Sequence, residues 1–294
     1  MKGIILAGGQ GTRLRPLTSA TSKQLLPVYD KPMIYYPIST LMHMGIREIA
    51  LISDNQNLEK FQKLLGDGSV WGISIEYFLQ PKPEGIAQAY KVTKEFIDSS
   101  NSCLILGDNI FVAQGLRMIA NKPGYASGAH IYAYEVSNPG LYGNILIKPD
   151  GTVENIIEKP HVPISNFAVP GLYILDSSAP DKFNKLRKSS RGEYEIIDLL
   201  KLYVNEGSLH ASALPRGSAW FDTGSVSDLF NAAEYIKVIQ NRQGQIIGSP
   251  EEIAFRNGWK SEKDLLKSIP ENSNSEYYER LRKLFKSGSG SDFY

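Results

Sequence analysis

The sequence predicts an α/β fold in which a mixed, mostly parallel central sheet precedes a small antiparallel region and a run of C-terminal helices. In the first half, short apolar runs without alternation are separated by stretches with helical apolar spacing, which is typical of βαβ units. From about residue 126, short strand patterns and hairpin turns replace them, and only helical patterns follow residue 225. These observations indicate a Rossmann-like sheet whose ligand-binding part comes first.

The chain opens with a predicted buried strand at residues 3–7 that ends in a glycine-rich turn at residues 8–11. Glycines let the backbone turn sharply, and their N–H groups approach a ligand without a Cβ in the way. Behind the turn, Arg13 offers a fixed fork of donors and Lys23 a mobile point charge, both suited to phosphate oxygens. The stretch predicts a cradle for a polyphosphate.

Two better-known phosphate motifs are absent from this stretch. The Walker pattern needs a Gly-Lys-Ser/Thr, which does not follow at the required spacing. The dinucleotide fingerprint needs a third glycine where Leu14 stands, and Asp30, near the place of the ribose-binding acid, reads as part of a turn. A glycine-rich turn most often only redirects the chain. The rest of the sequence is therefore needed to tell a phosphate-binding loop from a simple turn.

The other elements of the first half bring several loops to one edge of the sheet. Strands are predicted at residues 49–53, 73–79 and 103–106, and helices at about 36–44, 58–65 and 86–97. The glycine-rich turn, the loop at residues 80–85 and Asp108 each follow a predicted strand. Because parallel sheets bind ligands at the carboxyl ends of their strands, we expect these loops to line one site.

The second half predicts a more antiparallel region followed by helices. Strands are predicted at residues 129–136, 144–147, 153–157, 168–175, 209–214 and 219–224. Pro149-Asp150-Gly151 suits a hairpin turn, and Pro170-Gly171 suits an interruption of its strand. Helices are predicted near residues 195–204, 228–240, 250–256, 262–267 and 276–285, with capping patterns that begin at Ser225 and Ser249.

Composition excludes several classes of partner. The 294 residues carry a net charge of +1 without a basic or acidic block, so nothing attracts nucleic acid or an anionic membrane. The apolar content of 42% supports a sizeable core, and no segment approaches membrane-spanning length. The one cysteine, Cys103, lies in an apolar run that predicts a buried residue rather than a nucleophile. The first apolar run is too short for a signal peptide, so we expect a cytoplasmic protein.

Two aspartates, a lysine and a glutamine are further candidates for phosphate and base recognition. Asp108 follows a glycine at a predicted strand end, and Asp222 precedes Thr223-Gly224 at another. Two aspartates in one cleft suit Mg²⁺, which uses one or two carboxylates plus substrate phosphates, whereas each alone also suits the cap of a turn. Lys159 suits a third phosphate-binding cation, but it also suits a solvent-exposed strand edge with no ligand. The amide of Gln80 can read a base edge or simply face solvent.

Several segments of the chain match one family. They are LAGGQGTRLRPLT, SKQLLPVYDKPMIYYPISTLM, LLGDGSVWGI, QPKPEGIAQAY, LGDNIF, EKP, SNFAVPGLYILD, RGEYEIIDLL, AWFDTG, RQG and PEEIAFRNGW. Through them the chain resembles the glucose-1-phosphate thymidylyltransferases, also called dTDP-glucose pyrophosphorylases, from Lys2 to about Trp259. The first segment alone indicates a sugar nucleotidyltransferase with a GT-A-like core. The second and last segments narrow the resemblance to the long, tetrameric bacterial or archaeal form.

The resemblance implies a role for each candidate residue. The nucleotide is expected to contact Leu6, Gly8, Gly9, Gly11, Thr12, Arg13, Gln80, Gly85 and Asp108, with thymine recognised by Gln80 and by the backbone of Gly85. The sugar phosphate is expected to contact Tyr142, Gly143, Glu158, Lys159 and Val169. Asp108 and Asp222 are expected to bind Mg²⁺. Arg13, Lys23 and Lys159 are the expected catalytic cations.

The resemblance also implies an activity and an assembly. A thymidylyl group passes from dTTP to α-D-glucose 1-phosphate with Mg²⁺ as cofactor, giving dTDP-glucose and pyrophosphate. This is the first step of dTDP-deoxysugar biosynthesis, such as that of dTDP-rhamnose. A core at residues 1–227 would bind the nucleotide up to about residue 125 and the sugar phosphate from about residue 126. A helical extension at residues 228–294 would serve a homotetramer and a regulatory site for a dTDP-sugar feedback inhibitor.

Three departures from the family pattern lie beside the expected sugar pocket. Ile157 stands where an acid is usual, Asn144-Ile145-Leu146 where two valines and an acid are usual, and Phe221 where leucine is usual. Two other classes of function stay open. A nucleotide-sugar-dependent glycosyltransferase needs no grip on a departing pyrophosphate, so Arg13 and Lys23 argue against it. A non-catalytic nucleotide-sugar sensor does not need all of the phosphate-binding and metal-binding residues. Their joint presence therefore argues against this class.

Overall fold

The protein is an α/β molecule, described by a computed structural model at residues 1–9, 11–113 and 127–287. In chain order its strands are β1 Lys2–Leu6, β2 Pro27–Val28, β3 Lys31–Pro32, β4 Glu48–Ser53, β5 Ser74–Leu79, β6 Ser102–Leu106, β7 Ile110–Val112, β8 Ala129–Glu135, β9 Gly143–Ile147, β10 Val153–Glu158, β11 Phe167–Ala168, β12 Leu172–Leu175, β13 Leu209–Ala213 and β14 Ala219–Phe221. Its α-helices are α1 Tyr35–His43, α2 Leu58–Leu65, α3 Ala89–Val92, α4 Lys94–Ile97, α5 Ala179–Phe183, α6 Ile196–Asn205, α7 Val226–Gln243, α8 Pro250–Arg256, α9 Glu262–Ser268 and α10 Glu276–Ser287.

One mixed sheet carries most of these strands. Its order is β10-β9-β11-β8-β12-β6-β1-β4-β5, with β13 paired to β8. Strands β6, β1, β4 and β5 are parallel, whereas β12 and the strands beyond it pair antiparallel except for β13 on β8. The predicted fold class is therefore confirmed, with parallel pairing in the first half and mainly antiparallel pairing in the second.

Both faces of the parallel part of the sheet are buried. Ile4 and Leu104 lie in one apolar cluster, while their neighbours Ile5 and Ile105 lie in another on the opposite face. This two-sided burial explains why the strands read as unbroken apolar runs. Cys103 is fully buried among the second set, and burial raises the pKa of its thiol far above the usual range, so its prediction as a packing residue is confirmed.

The C-terminal helices pack against the first half of the chain. Ile253 and Phe285 belong to the same apolar cluster as Ile5. The capping box predicted at Ser225 is present, with Ser225 accepting from the N–H of Asp228. The predicted division at residue 227 stays a prediction. The boundary near residue 125 and residues 288–294 of the predicted extension lie outside the described residues.

The predicted helix at residues 86–97 is wrong in its continuity. A 3₁₀ turn at Ile86–Gln88 leads into α3, and Thr93 then separates α3 from α4 with φ −105° and ψ 17°. The Thr93 hydroxyl donates to the carbonyl of Ala89 at 2.8 Å. A threonine that bonds back to the preceding turn bends or interrupts a helix. The apolar spacing across the break is preserved, which is why the sequence predicts one element.

Short elements were missed by the sequence analysis. The pairs β2–β3 and β7–β14 and the one-turn helix α5 were not predicted. The β7–β14 pair matters for the site, because it places Phe221 opposite Ile110 and so brings Asp222 next to Asp108. Within the described ranges, no helix has the length and apolar character needed to cross a bilayer.

Candidate active site

The glycine-rich turn after β1 is shaped by two close approaches. A Cβ at Gly8 would overlap the side-chain oxygen of Gln80. Gly11 has φ +56°, and a Cβ there would lie 2.9 Å from Cγ2 of Thr18. Glycine is the residue that tolerates both a positive φ and such an approach. The turn then enters a 3₁₀ turn at Thr12–Leu14, in which Thr12 is exposed and Leu14 is buried.

Arg13 and Asp222 flank the same glycine. A Cβ built on Gly224 would lie 3.4 Å from Nη2 of Arg13 and 3.3 Å from Oδ2 of Asp222. Arg13 itself is exposed. The guanidinium and the carboxylate therefore both lie beside Gly224, although more than 200 residues separate them in the chain.

Lys23 contacts both aspartates. Its ammonium lies 2.8 Å from Oδ2 of Asp108 and donates to the backbone carbonyl of Asp222 at 3.4 Å. The Lys23 side chain is only 6% exposed, against 29% for Asp108. A buried ammonium needs a charged partner, so this pair fixes Lys23 at the carboxyl end of β6.

Hydrogen bonds from residues beside the two aspartates tie their loops together. The Thr223 hydroxyl donates to the carbonyl of Asp108 at 2.7 Å, and Thr223 adopts φ +41°, a strained value for a β-branched residue. The amide of Asn109 donates to Oδ1 of Asp108 at 2.9 Å. The Asn109 oxygen accepts from Nε1 of Trp220 at 2.7 Å. These bonds orient the Asp108 carboxylate and join its loop to the turn that carries Asp222.

The electrostatics at Asp222 suit a cation. Burial raises the pKa of the Asp222 carboxyl, and the nearby carboxylates of Asp228 and Asp108 add to the shift, while the N–H of Gly224 opposes it. A divalent cation between Asp108 and Asp222 would relieve this repulsion. Among the described residues there is no group of three or more metal-ligating side chains. The donor set therefore fits an ion such as Mg²⁺, which completes its shell with waters and substrate phosphates.

The expected sugar-phosphate residues form a neighbouring cluster. The N–H of Lys159 donates to the carbonyl of Tyr142 at 3.0 Å, and the N–H of Val169 donates to the carbonyl of Gly143 at 2.8 Å. A Cβ at Gly143 would lie 2.9 Å from Cδ1 of Ile197 and 3.6 Å from Oε2 of Glu158. Gly143 therefore leaves the space next to the Glu158 carboxylate open.

Two cations face the carboxylate of Glu158. Lys159 has φ +41°, is half-exposed, and places its ammonium 3.9 Å from Oε1 of Glu158. Nη2 of Arg191 lies 3.6 Å from the same oxygen. Burial raises the pKa of Glu158, although Lys159 and Arg191 lower it in part. A half-buried acid between two cations is suited to holding sugar hydroxyls while its neighbours meet a phosphate.

An aromatic contact joins the two clusters. The ring of Tyr142 lies edge-on to Trp220 with 5.1 Å between centroids, and Trp220 lies on β14, which Asp222 directly follows. The charge of Asp222 also acts on the Tyr142 hydroxyl, whose pKa is raised mainly by burial. The pocket that contains Tyr142 and Lys159 therefore lies next to the strand that leads to Asp222.

The residues expected at the base also lie at strand ends. Gln80 follows β5 and is only 2% exposed. Gly85 has φ +105°, and a Cβ there would overlap the backbone of Tyr194, so only glycine fits. Leu6 ends β1, and its carbonyl accepts from the N–H of Gly107 at 2.9 Å. Gly9 has nothing within 4 Å of a built Cβ, so its exposed backbone is free to approach a ligand.

Sequence reasoning missed several residues that hold this site. They are Asn109, Thr223, Trp220, Gln88 and Arg191. Asn109 and Thr223 had a signal, because each adjoins a predicted metal ligand. Gln88 and Arg191 had none, because their importance depends on partners that only the fold brings near.

Comparisons with known proteins identify the family to which this chain belongs. The sequence model of the family described as nucleotidyl transferase matches residues 2–238. The chain belongs to the nucleotidyl transferase family. That match spans the glycine-rich turn, both aspartates and the Glu158–Lys159 pocket, so every candidate site residue of this nucleotidyl transferase lies inside the family region. The glycosyltransferase alternative is not supported.

Curated relatives narrow the resemblance further. A glucose-1-phosphate thymidylyltransferase of Xanthomonas campestris pv. campestris is 47% identical over 98% of this chain and 98% of its own length. One from Neisseria meningitidis is 47% identical over 96% of this chain and 100% of its own. The resemblance to this branch of the nucleotidyl transferases, stated above from sequence segments, is confirmed.

Solved structures agree with the fold. A glucose-1-phosphate thymidylyltransferase structure from Bacillus anthracis, in complex with sucrose, has a TM-score of 0.74 and 35% identity, covering 80% of this chain and 94% of that one. A UDP-glucose pyrophosphorylase complexed with UDP-glucose has a TM-score of 0.71 at 22% identity, covering 81% of this chain and 98% of that one. The similarity to the UDP-glucose pyrophosphorylase shows only that the two proteins share a fold.

Proposed function

We propose that the chain transfers a thymidylyl group from dTTP to α-D-glucose 1-phosphate, forming dTDP-glucose and pyrophosphate. The observation that carries this proposal is the convergence of Arg13, Lys23, Asp108 and Asp222 at one sheet edge, linked by the Tyr142–Trp220 contact to a second cationic pocket at Lys159. The names of the relatives support the choice of base and sugar.

The first cluster would hold the nucleotide. Backbone N–H groups of the glycine-rich turn and the guanidinium of Arg13 would bind the triphosphate, because planar donors match phosphate oxygens. The ammonium of Lys23 would neutralise the departing pyrophosphate as its bond to the α-phosphate breaks. Gln80 and the backbone of Gly85 would recognise thymine.

The second cluster would hold the acceptor. Glu158 would bind sugar hydroxyls, Lys159 would bind the phosphate of glucose 1-phosphate, and Tyr142, Gly143 and Val169 would shape the pocket. The three departures noted in the sequence lie on this side. Asn144 is buried and its amide donates to the backbone of Phe167 at 2.7 Å, so it braces the β9–β11 region rather than entering the pocket.

The chemistry needs no side-chain nucleophile. A phosphate oxygen of the sugar attacks the α-phosphorus in line, a new P–O bond forms, and the bond to pyrophosphate breaks. Two anions brought to about 4 Å repel by roughly 4 kcal/mol per charge pair at an effective dielectric near 20. The cations Arg13, Lys23 and Lys159 offset this repulsion and hold both reactants in line, which is the main catalytic task in phosphoryl-type transfer.

A divalent cation would complete the site. Asp108 and Asp222 are the residues that would hold Mg²⁺, and their half-buried, mutually repelling carboxylates fit that role. When bound, Mg²⁺ supplies charge neutralisation at the phosphates. The remaining proposals follow the family: a core at residues 1–227, a helical extension that serves a tetramer and a dTDP-sugar regulatory site, and a place at the start of a dTDP-deoxysugar pathway.

The proposal is tested by pyrophosphate release across a panel of triphosphates. Purified protein with glucose 1-phosphate and Mg²⁺ is expected to release pyrophosphate fastest with dTTP, and to release none when the sugar phosphate is omitted. UTP and dCTP, with glucosamine and galactose 1-phosphates as alternative acceptors, define the preference. Absence of pyrophosphate with every combination would contradict the proposal and favour a nucleotide-sugar sensor.

A further inference from the structure

The side-chain amide of Gln80 has a fixed orientation. Gln80 is only 2% exposed, so its amide is held between neighbouring groups rather than rotating freely in water. The nitrogen end donates to Oε1 of Gln88 at 2.7 Å. The oxygen end lies over Gly8, where a Cβ would overlap it.

A backbone group determines this orientation. The N–H of Glu84 donates to Oε1 of Gln88 at 2.9 Å. A backbone N–H can only donate, so the Gln88 atom it meets must be the oxygen. The same oxygen faces Gln80, which must therefore present its NH₂ group there. The oxygen of the Gln80 amide therefore points toward the glycine-rich turn. This orientation follows from the Glu84 N–H alone and does not depend on telling amide nitrogen from oxygen by shape.

A second layer holds Gln88 in place. Nε2 of Gln88 donates to Oε2 of Glu84 at 3.3 Å, and the ammonium of Lys188 lies 2.5 Å from the other oxygen of Glu84. The N–H of Tyr194 donates to the Glu84 carbonyl at 2.7 Å. Turning the Gln88 amide would oppose its NH₂ to the Glu84 N–H and its oxygen to the Glu84 carboxylate. Each mismatch of this kind costs free energy, because the Gln88 amide is buried and its contacts with Glu84 are partly buried.

We propose that Gln88 is a positioning residue that selects the base by keeping the Gln80 acceptor turned toward the nucleotide. This inference rests on the proposed function. An acceptor in that position pairs with a base edge that carries a donor, such as the N3–H of thymine or uracil. Cytosine presents an unprotonated N3 at the same place, so acceptor would face acceptor. The relay from Lys188 through Glu84 and Gln88 thereby excludes cytosine nucleotides without touching them.

The test compares dTTP with 5-methyl-dCTP, which keeps the methyl group and size of thymine and changes only its hydrogen-bonding edge. The measured quantity is the ratio of kcat/KM for the two triphosphates, with glucose 1-phosphate as acceptor. Gln88→Met removes the acceptor that holds Gln80 and lets its amide rotate. The ratio is expected to fall by roughly 10- to 100-fold, because a buried hydrogen-bond mismatch is no longer enforced.

The matched control is Gln88→Glu, which keeps the size of the side chain and an oxygen acceptor for both Gln80 and the Glu84 N–H. Its ratio is expected to stay close to that of the unmodified protein, even though a carboxylate beside Glu84 lowers the melting temperature. A purely structural role for Gln88 would lower both rates together. An unchanged ratio in Gln88→Met, or an equal loss of discrimination in both variants, overturns the inference.

Calorimetric binding separates this inference from the proposed function. If the unmodified protein releases no pyrophosphate but binds dTTP more tightly than 5-methyl-dCTP, the proposed activity fails while the selection by Gln80 stands, and the variants are then compared by their Kd ratios. If it turns over both triphosphates equally well, the activity stands and the inference is overturned. The second result needs no variant to fold.

Discussion

Replacing Arg13 by alanine is expected to lower kcat/KM for dTTP by about 10²- to 10³-fold, the usual loss for one preorganised charge contact at a transferring phosphate. The guanidinium lies beside Gly224 together with Asp222, where the triphosphate would be held. Because Arg13 is exposed, its loss is expected to leave the melting temperature nearly unchanged. The measurement is steady-state pyrophosphate release at varied dTTP.

The control for this change is Arg15→Ala. Arg15 is also exposed and lies two residues further along the same loop, so it carries the same charge without a place in the proposed site. Its kcat/KM is expected to stay within about threefold of the unmodified value. A comparably large loss in both variants would indicate a non-specific electrostatic effect of positive charge in this loop. Unaffected activity in Arg13→Ala would show that Arg13 has no part in the mechanism.

Asp108→Asn is expected to nearly abolish turnover, with a loss in kcat of at least about 10²- to 10³-fold. The substitution keeps the size of the side chain but removes a charge that would bind the cation and that now pairs with Lys23 at 2.8 Å. The Mg²⁺ concentration for half-maximal rate is expected to rise. Because Lys23 is only 6% exposed, the melting temperature should also fall, and the assay is run well below it.

An exposed aspartate serves as the comparison for Asp108. Asp181 is 78% exposed and its ammonium partner Lys94 lies 3.5 Å away, so Asp181→Asn is expected to change kcat by less than about twofold. If Asp108→Asn kept more than about a tenth of the unmodified kcat with an unaltered Mg²⁺ dependence, Asp108 would not be a metal ligand.

The sequence predicted the strands of the parallel half well because these are buried on both faces. Residues such as Ile4 and Ile5 point into different apolar clusters, so an unbroken apolar run is unambiguous there. The loops at the carboxyl ends of these strands then follow from topology. For that reason the proximity of Arg13, Lys23 and Asp108 could be expected from the sequence alone.

The strand pairs of the second half were harder to predict from the sequence, because the pair that positions the site is formed by short strands. The strand Ile110–Val112 has three residues and directly follows Asp108-Asn109, so it reads as part of a loop, yet it carries β14 and with it Asp222. The break at Thr93 was hidden by preserved apolar spacing. The relay from Lys188 to Glu84 joins residues 104 positions apart, and no local pattern encodes a contact of that separation.

The most direct measurement of the account is a crystal structure of the protein with dTDP-glucose and Mg²⁺. This one molecule must span both clusters if they form a single site. We predict the thymine N3–H within hydrogen-bonding distance of the Gln80 oxygen, the diphosphate between Arg13 and Lys159, and the glucose beside Glu158. A dTDP-glucose molecule that occupied the first cluster with its sugar turned away from Glu158 and Lys159, or that bound only among the C-terminal helices, would contradict the shared site.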